Sequence, residues 1–458
     1  MATLTPQTLV EQALAATRSD DAVVIVSDTT SANLRWANNT LTTNGVMHDV
    51  EVTVIAFQGA RSASVSGNVS TLDQLEQLVS SADAAAAAAT PASDAAELAG
   101  DRASADWDDA PEPTSIGVYD AFAPALGDAF GRAHSEGRIL YGFVDHEVTT
   151  TYLGSSTGLR LRHVQPTGHY GCTGKDAALT QSAWVGGATR DFADVDAHAL
   201  DAELARRLAW SQRSVDLPAG RYDTILPPTA VADLMIYAYW QSSARLAHDG
   251  QSVYSKPGGG TRIGERIAKE SVRLHSDPAY AGLEAAPFVI APSSSPASSV
   301  FDNGLAVEAT DWIRDGRLSS LLQTRASAAL TGAPATFAVD NLVLDVDGGA
   351  GTTEELVAAV ERGLLLTCLW YIREVDPQTL LLTGLTRDGV YLVENGEITG
   401  AVNNFRFNES PISLLDRFAQ ASATELSFSR EWGDYFSRTA TPALRVPDFN
   451  MSSVSQAR

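Results

Sequence analysis

The stretch VADLMIYAYWQSSARLAHDG, residues 231–250, sets the reading of the whole chain. It predicts a helix, placed at 229–247, that carries Tyr237, Tyr239, Trp240 and Gln241 and no group suited to catalysis before His248. Aromatic side chains at such places either fill a helix-to-sheet contact or face a bound peptide. The sequence changes character on either side of this helix. Before it, helical and extended segments alternate; after it, short apolar runs separated by turns dominate.

The first half opens with Thr5 and Pro6 starting a helix whose apolar stripe is Leu9, Val10, Ala13 and Leu14. AVVIVS (22–27) and VEVTVIAF (50–57) predict strands, with NLRWANNTLTTNG between them read as turn-bearing sequence. Thr71 and Gln74 have the spacing of a capping box ahead of an alanine-rich helix. Residues of about 90–115, rich in Ala, Asp, Pro and Ser, predict an exposed connector. A helix near 119–137, strands in RILYGFVDH and in EVTTTYLGSSTGLRLRHV with LGSSTG as a turn between extended runs, and a helix near 196–212 complete this half. The expected organisation is an N-terminal α/β domain over 1–215 and a C-terminal β-rich domain over 216–458, an α+β chain overall.

The 32 basic and 56 acidic residues give a formal charge of −24. A field of that sign repels nucleic acid and anionic lipid, so neither is an expected partner. No apolar run reaches the roughly 20 residues of a membrane span, and MATLTPQTLVEQAL lacks the basic and apolar regions of a signal sequence. Two distant cysteines, Cys172 and Cys368, make no disulfide framework. A cytoplasmic location is expected.

Candidate chemistry is sparse. None of the eight histidines is followed four or five positions later by another, so no helical zinc pair is present. His146 and Glu147 in DHEV read as polar residues of an extended segment. Cys172 in GCTGK lies near Lys175 and, with His163 or His169, is a candidate nucleophile–base pair; a buried, inert thiol is the competing reading. Cys368 sits among apolar residues and is expected in the core. There is no G-x-S-x-G elbow. KPGGGTRIGERI (256–267) has its lysine ahead of the glycines, the wrong order for a phosphate loop, and reads as a mobile loop beside a cleft.

Several ordered stretches carry a resemblance. TYLGSSTGLRLRH, LPAGRYDTILPPTAVADLM, DGQSVYSKPGGGTRIGERIAKESVRLHSDP, FDNGLAVEATDWIRDGRLSSLLQTRASA and GLLLTCLWYIREVDPQTLLLTGLTRDGVYLVENGEITGAV together resemble the TldD/PmbA family of bacterial cytoplasmic proteins. The resemblance implies an N-terminal α/β domain, a C-terminal domain of curved, mostly antiparallel sheets, and pairing of two related subunits. In that pair the TldD-type subunit holds a divalent metal, expected to be zinc, through H-E-x-x-x-H on the central helix and a later cysteine. The PmbA-type subunit, also called TldE, lacks the motif. The pair cleaves unfolded or extended peptides, including peptide-antibiotic precursors and antitoxins.

Set against the motif by its ADLM lead-in, this chain has Ile236 and Gln241 at the histidine positions and Tyr237 at the glutamate. Isoleucine has no lone pair, a neutral amide is a poor zinc ligand, and a phenol with pKa near ~10 is a poor base at neutral pH. No cysteine follows Cys368. The resemblance therefore implies a TldE-type subunit with no catalytic or metal-binding residues of its own, paired with a metal-bearing TldD-type homologue and a peptide substrate. Tyr237, Tyr239, Trp240, Trp370, Tyr371 and Arg373 are the candidates for a peptide cleft or a subunit interface; an independent hydrolase built on Cys172 is the alternative.

Overall fold

The computed structural model describes residues 4–387 and 389–455; the first three residues of the stretch read for a signal sequence lie outside it. The first half runs α1 (Pro6–Ala16), β1 (Asp21–Ala37), β2 (Thr40–Gln58), β3 (Arg61–Asn68), α2 (Leu72–Ala88), β4 (Arg102–Ala103), α3 (Phe122–Ser135), β5 (Arg138–Ser155), β6 (Leu159–Asp176), β7 (Ser182–Thr189) and α4 (Ala197–Trp210). Thr5 caps α1 by accepting from the Thr8 amide, and Thr71 caps α2 by accepting from the Gln74 amide. Gln74 does not close the predicted box on Thr71; its carbonyl takes the amide and hydroxyl of Ser70 instead.

Four of the strands are far longer than the apolar runs that announced them. NLRWA continues β1, and the chain reverses tightly at Asn38 and Asn39, both at positive φ, which asparagine tolerates. RILYGFVDH and EVTTTYLGS are likewise one strand, β5. Polar residues within these strands are no bar, because a strand with one face toward solvent or a distant layer needs only alternate positions apolar.

That alternation organises the molecule. Strand order is β3-β2-β1-β5-β6-β4, with β7 beside β4 on the far side of β6. Even-numbered residues of β1, β2, β5 and β6, such as Val24, Val26, Leu34, Val54, Val144 and Cys172, pack against the four helices. Odd-numbered ones, such as Val23, Ile25, Ile55, Leu153 and Leu161, meet Phe288, Val300 and Phe301 of the second half. The central part of the sheet is thus covered on both faces, while the outer stretch of β2 before Val52 is largely exposed.

The predicted exposed connector is a strap. Ala92, Ala96, Leu98 and Ala99 pack between the halves, and β4 joins the sheet parallel to β6. Asp94 accepts from the hydroxyls of Ser294 and Ser299, and Arg325 donates to the Glu97 carbonyl. Composition hid this, because the ties are made largely by backbone and small side chains.

The second half contributes, among the described residues, a six-stranded and a ten-stranded sheet, both mostly antiparallel. One apolar cluster joins them, with Leu274, Trp312 and Leu344 on one side and Leu366, Phe405, Phe407 and Phe449 on the other. Between these sheets lies α5 (Pro228–Trp240), opened by Pro228 at its first turn and buried at ten of its positions. The predicted single helix over 229–247 is two. Ser242 turns its hydroxyl back to the Tyr239 carbonyl, Ser242 and Ala244 exchange backbone bonds with Leu322, and Ser243 caps α6 (Ala244–His248). No helix among the described residues is long and apolar enough to cross a membrane.

Candidate functional site

Ile236, Tyr237 and Gln241, the residues set against the metal motif in the sequence, are poor metal ligands. Ile236 is fully buried in the core between the sheets. Tyr237 is half-buried, its ring 5.7 Å from that of Trp432 and 6.4 Å from that of Trp240. Burial, aided by the nearby Glu374 carboxylate, raises the Tyr237 phenol further above its ordinary range, away from use as a base. Gln241 is the residue that ends α5. Among the described residues no three His, Cys, Asp or Glu side chains converge as a metal site would require.

A carboxylate not singled out from the sequence lies one turn earlier. Asp233 is wholly buried on α5 and meets the segment Phe428–Phe436. Its Oδ1 accepts from the Ser429 hydroxyl at 2.5 Å and the Glu431 amide at 3.0 Å, while Oδ2 is buried without a hydrogen-bond partner. Burial pushes its pKa up to about 7, against the smaller opposing effect of those two hydrogen bonds. The signal was available: Asp233 is the one charged residue in the run ADLMIYAYW. The Trp432 indole donates to the Asp233 carbonyl at 2.9 Å, fastening the same segment to the helix a second time.

The six aromatic and basic candidates gather around that segment. Tyr239 is buried, its hydroxyl donating to the Val339 carbonyl and accepting from the Val339 amide, and its ring packs on Trp312 and Phe436. Trp240 meets Trp432 edge-on at 5.2 Å. Glu431 accepts from the amides of Tyr371 and Ile372 at 3.0 Å each and pairs with Arg373 at 3.4 Å. Tyr371, at positive φ, is 52% exposed. Arg430 lies between the rings of Trp184 on β7 and Trp370, 4.6 and 4.7 Å from their centroids, and also donates to the Cys368 sulfur. This sandwich ties the two halves together.

None of those six residues lines the main cavity. That cavity, of about 870 Å³, lies between the halves. One wall is made by Val164–Gly168 of β6, Gly186–Thr189 of β7 and Glu203, Arg206, Arg207 and Trp210 of α4. The other includes Pro227–Thr229, Gly282–Glu284, Thr352–Glu354 and Glu425–Phe428. Glu203 holds both Arg206 and Arg207 at 2.6 Å, and Arg206 reaches Glu354 across the cleft at 3.3 Å. The glycine-rich stretch 256–267 does not border it; Lys256 and Gly260 close a tight turn there, and Arg262 donates to the Val253 carbonyl.

The cysteine–histidine alternative fails on geometry. β5 and β6 pair without a register break, so residues an odd number apart on β6 face opposite ways. Cys172 faces the helices, where burial raises its thiol to about 12. His169 faces the second half and stacks on Phe428 at 5.9 Å; His163, also an odd number of positions from Cys172, bonds Gln165. His146 bridges Thr114 and the Arg190 carbonyl, a structural tie.

Comparison with known proteins agrees with this architecture. Residues 219–453 match the PmbA/TldA metallopeptidase C-terminal domain, and residues 22–89 match domain 1 of the same family. The chain belongs to the PmbA/TldD family. Its fold is that of TldE from Thermococcus kodakarensis, with a TM-score of 0.75 at 14% identity over 97% of this chain and 99% of that one. Proposed modulators of DNA gyrase from Bacteroides thetaiotaomicron and Thermotoga maritima are similar in the same way. Their TM-scores are 0.77 and 0.75, at 14% and 16% identity, over 98% and 97% of this chain and 100% of each of theirs. No curated protein sequence matches.

Proposed function

We propose that this chain is the TldE/PmbA-type, non-catalytic subunit of a TldD/TldE-type metallopeptidase, and that its cavity helps hold unfolded or extended peptides for a metal-bearing partner. The observation that carries the reading is the donor set on α5: a buried isoleucine, a phenol held neutral and a terminal amide at Ile236, Tyr237 and Gln241. A divalent ion there finds no anionic or imidazole ligand, and no step of peptide hydrolysis is assigned to these residues.

In this proposal the metal, zinc, resides in the partner subunit. The half-buried patch of Tyr237, Trp240 and Trp432, with the exposed Tyr371 and Arg373 beside it, is the surface offered to that partner or to the peptide. Two buried cysteines, neither of them in a disulfide, support a reducing, cytoplasmic setting. The test is to purify the chain and the host's metal-bearing relative separately and assay each, and their mixture, on an extended peptide. Co-elution with activity in the mixture, at least tenfold above the relative alone, is expected. Undiminished activity of the relative alone, with no complex, contradicts the proposal.

A further inference from the structure

We propose that Asp233, Glu431 and the backbone amides of Tyr371 and Ile372 form a relay that works as a conformational switch: seated, it holds Tyr371 out on the surface, and lifted, it lets that face go. The inference rests on the reading above of Tyr371 and Arg373 as a working surface, and it adds how that surface is regulated.

The strand Trp370–Asp376 is an edge of the ten-stranded sheet and pairs, among the described residues, only with Leu381–Leu385. Trp370 lies opposite Leu385 and Arg373 opposite Thr383, so Tyr371 and Ile372 together face the single residue Gly384. That extra residue is a β-bulge, which bends an edge strand and re-aims its side chains. Ile372 is buried in the core, while Tyr371 stands 52% exposed at φ 52°, a left-handed backbone that strains a tyrosine. A strained residue persists only where its surroundings hold it. The hold is Glu431, a nearly buried carboxylate whose Oε2 takes the Tyr371 amide and Oε1 the Ile372 amide, both at 3.0 Å. Glu431 is fixed in turn, since its own amide donates to Asp233 Oδ1 at 3.0 Å. The Ser429 hydroxyl donates to the same oxygen and accepts from the Trp432 amide at 2.9 Å.

What unseats the relay is the other oxygen of Asp233. Oδ2 is buried with no hydrogen-bond partner, a place that tolerates a neutral carboxyl far better than a carboxylate. An ionised Oδ2 needs water, which reaches it when Ser429–Trp432 lifts off α5, and that movement carries Glu431 away from the bulge. Burial holds the Asp233 pKa at about 7 against the Ser429 and Glu431 hydrogen bonds; the Glu431 charge adds to the rise and Arg430 opposes it. Burial raises Glu431 as well, against its two amides and Arg373, so it pulls the same way. With the ordinary 3.8 restored on lifting, the lifted fraction climbs as pH rises from about 4 to about 7 and is level above. Facing the segment from β6, His169 stacks on Phe428 and lies 3.9 Å from Asp434. Burial keeps it below its ordinary pKa, against Asp145, Asp434 and Glu147, so its protonation at acid pH opposes the trend. Replacing Asp233 alone separates the two.

The test is hydrogen–deuterium exchange of the full chain, read by mass spectrometry on fragments spanning 369–375 and corrected for the intrinsic pH dependence of amide exchange. Protection there should fall at least tenfold between pH 5 and pH 7 in wild type, and less than threefold in Asp233→Asn. Glu431→Gln, with one acceptor in place of two, should lack protection at both pH values. Ser429→Ala keeps Asp233 and removes one of its hydrogen bonds, and should lower protection at pH 5 at least threefold. Fragments spanning 364–366, in the core of the same sheet, should stay protected throughout. A level wild-type profile, an equal fall in Asp233→Asn, unchanged protection in Ser429→Ala, or a matching loss at 364–366 overturns the switch. None of these outcomes touches the subunit proposal, which is judged by co-elution and activity of the mixed chains.

Discussion

Asp233 places a carboxyl group inside an apolar core with one oxygen doubly hydrogen-bonded and the other unpaired. Its pKa, about 7 in the folded chain against 3.8 in the unfolded one, has a definite consequence for stability. Between those values the folded state binds the extra proton, so stability from this group is complete below about 4 and is lost as pH rises to about 7. Asp233→Asn removes that dependence, and thermal melts across the window should show wild type losing stability to the variant as pH increases. Parallel curves would place the titration elsewhere. Cys172 gives a second residue-level expectation. With no exposure and a thiol raised to about 12, it should resist a thiol reagent at neutral pH until the chain is unfolded, measured by absorbance of the released chromophore; rapid labelling of native protein would contradict its burial.

At the scale of elements, the segment Phe428–Phe436 does the joining. It seats Trp432 and Phe436 on α5, presents Glu431 to the Tyr371 and Ile372 amides, and inserts Arg430 between Trp184 and Trp370. Two ring contacts of this kind contribute about 1–2 kcal/mol, so Arg430→Ala should lower stability by about that much in a denaturant titration, with a shift in tryptophan emission. Arg430→Lys should recover only part, since an ammonium cannot stack flat against two indoles. An unchanged midpoint in both variants would deny the clamp. Little of this was legible in the sequence. Thr5, Thr71 and the apolar stripes foretold helices because capping and periodicity are local. The pairing of Asp233 with Ser429, nearly two hundred positions away, is not local and left only a lone charge in an apolar run as its trace. β1 and β5 were read short for a related reason, since their polar stretches became strand only through pairing with each other.

For the whole molecule, the division into an α/β half and a β-rich half follows from what each can bury. The first sheet needs helices on one face and the second half on the other; the second half buries α5 between two sheets. The strap of residues 90–115 holds these bodies together, and Arg325 is its main fastener, pairing with the buried Asp302 at 2.6 Å and with the carbonyls of Glu97 and Phe301. Arg325→Ala leaves Asp302 buried without its cation, a change that costs about 3–5 kcal/mol. It should also expose the strap to limited proteolysis near 90–100; wild-type stability and an unchanged cleavage pattern would show that the strap is not held there. The fold was foreseeable from the resemblance and the alternating pattern, but the cavity was not. The sequence pointed to the aromatics of α5 and of 370–373, whereas the space lies where Gly186, Gly187 and Ala188 leave it, and small residues in a strand carry no conspicuous signature.

A non-catalytic role requires that α5 hold no metal ion, and metal content measures that directly. The chain, purified alone after growth with added zinc and dialysed without chelator, should contain far less than one zinc per molecule by plasma mass spectrometry. The variant Ile236→His, Tyr237→Glu, Gln241→His should contain no more, because its histidines would enter a packed core without a third ligand or supporting hydrogen bonds. One tightly held zinc per wild-type chain, lost together with an unaided peptidase activity on chelation, would contradict it.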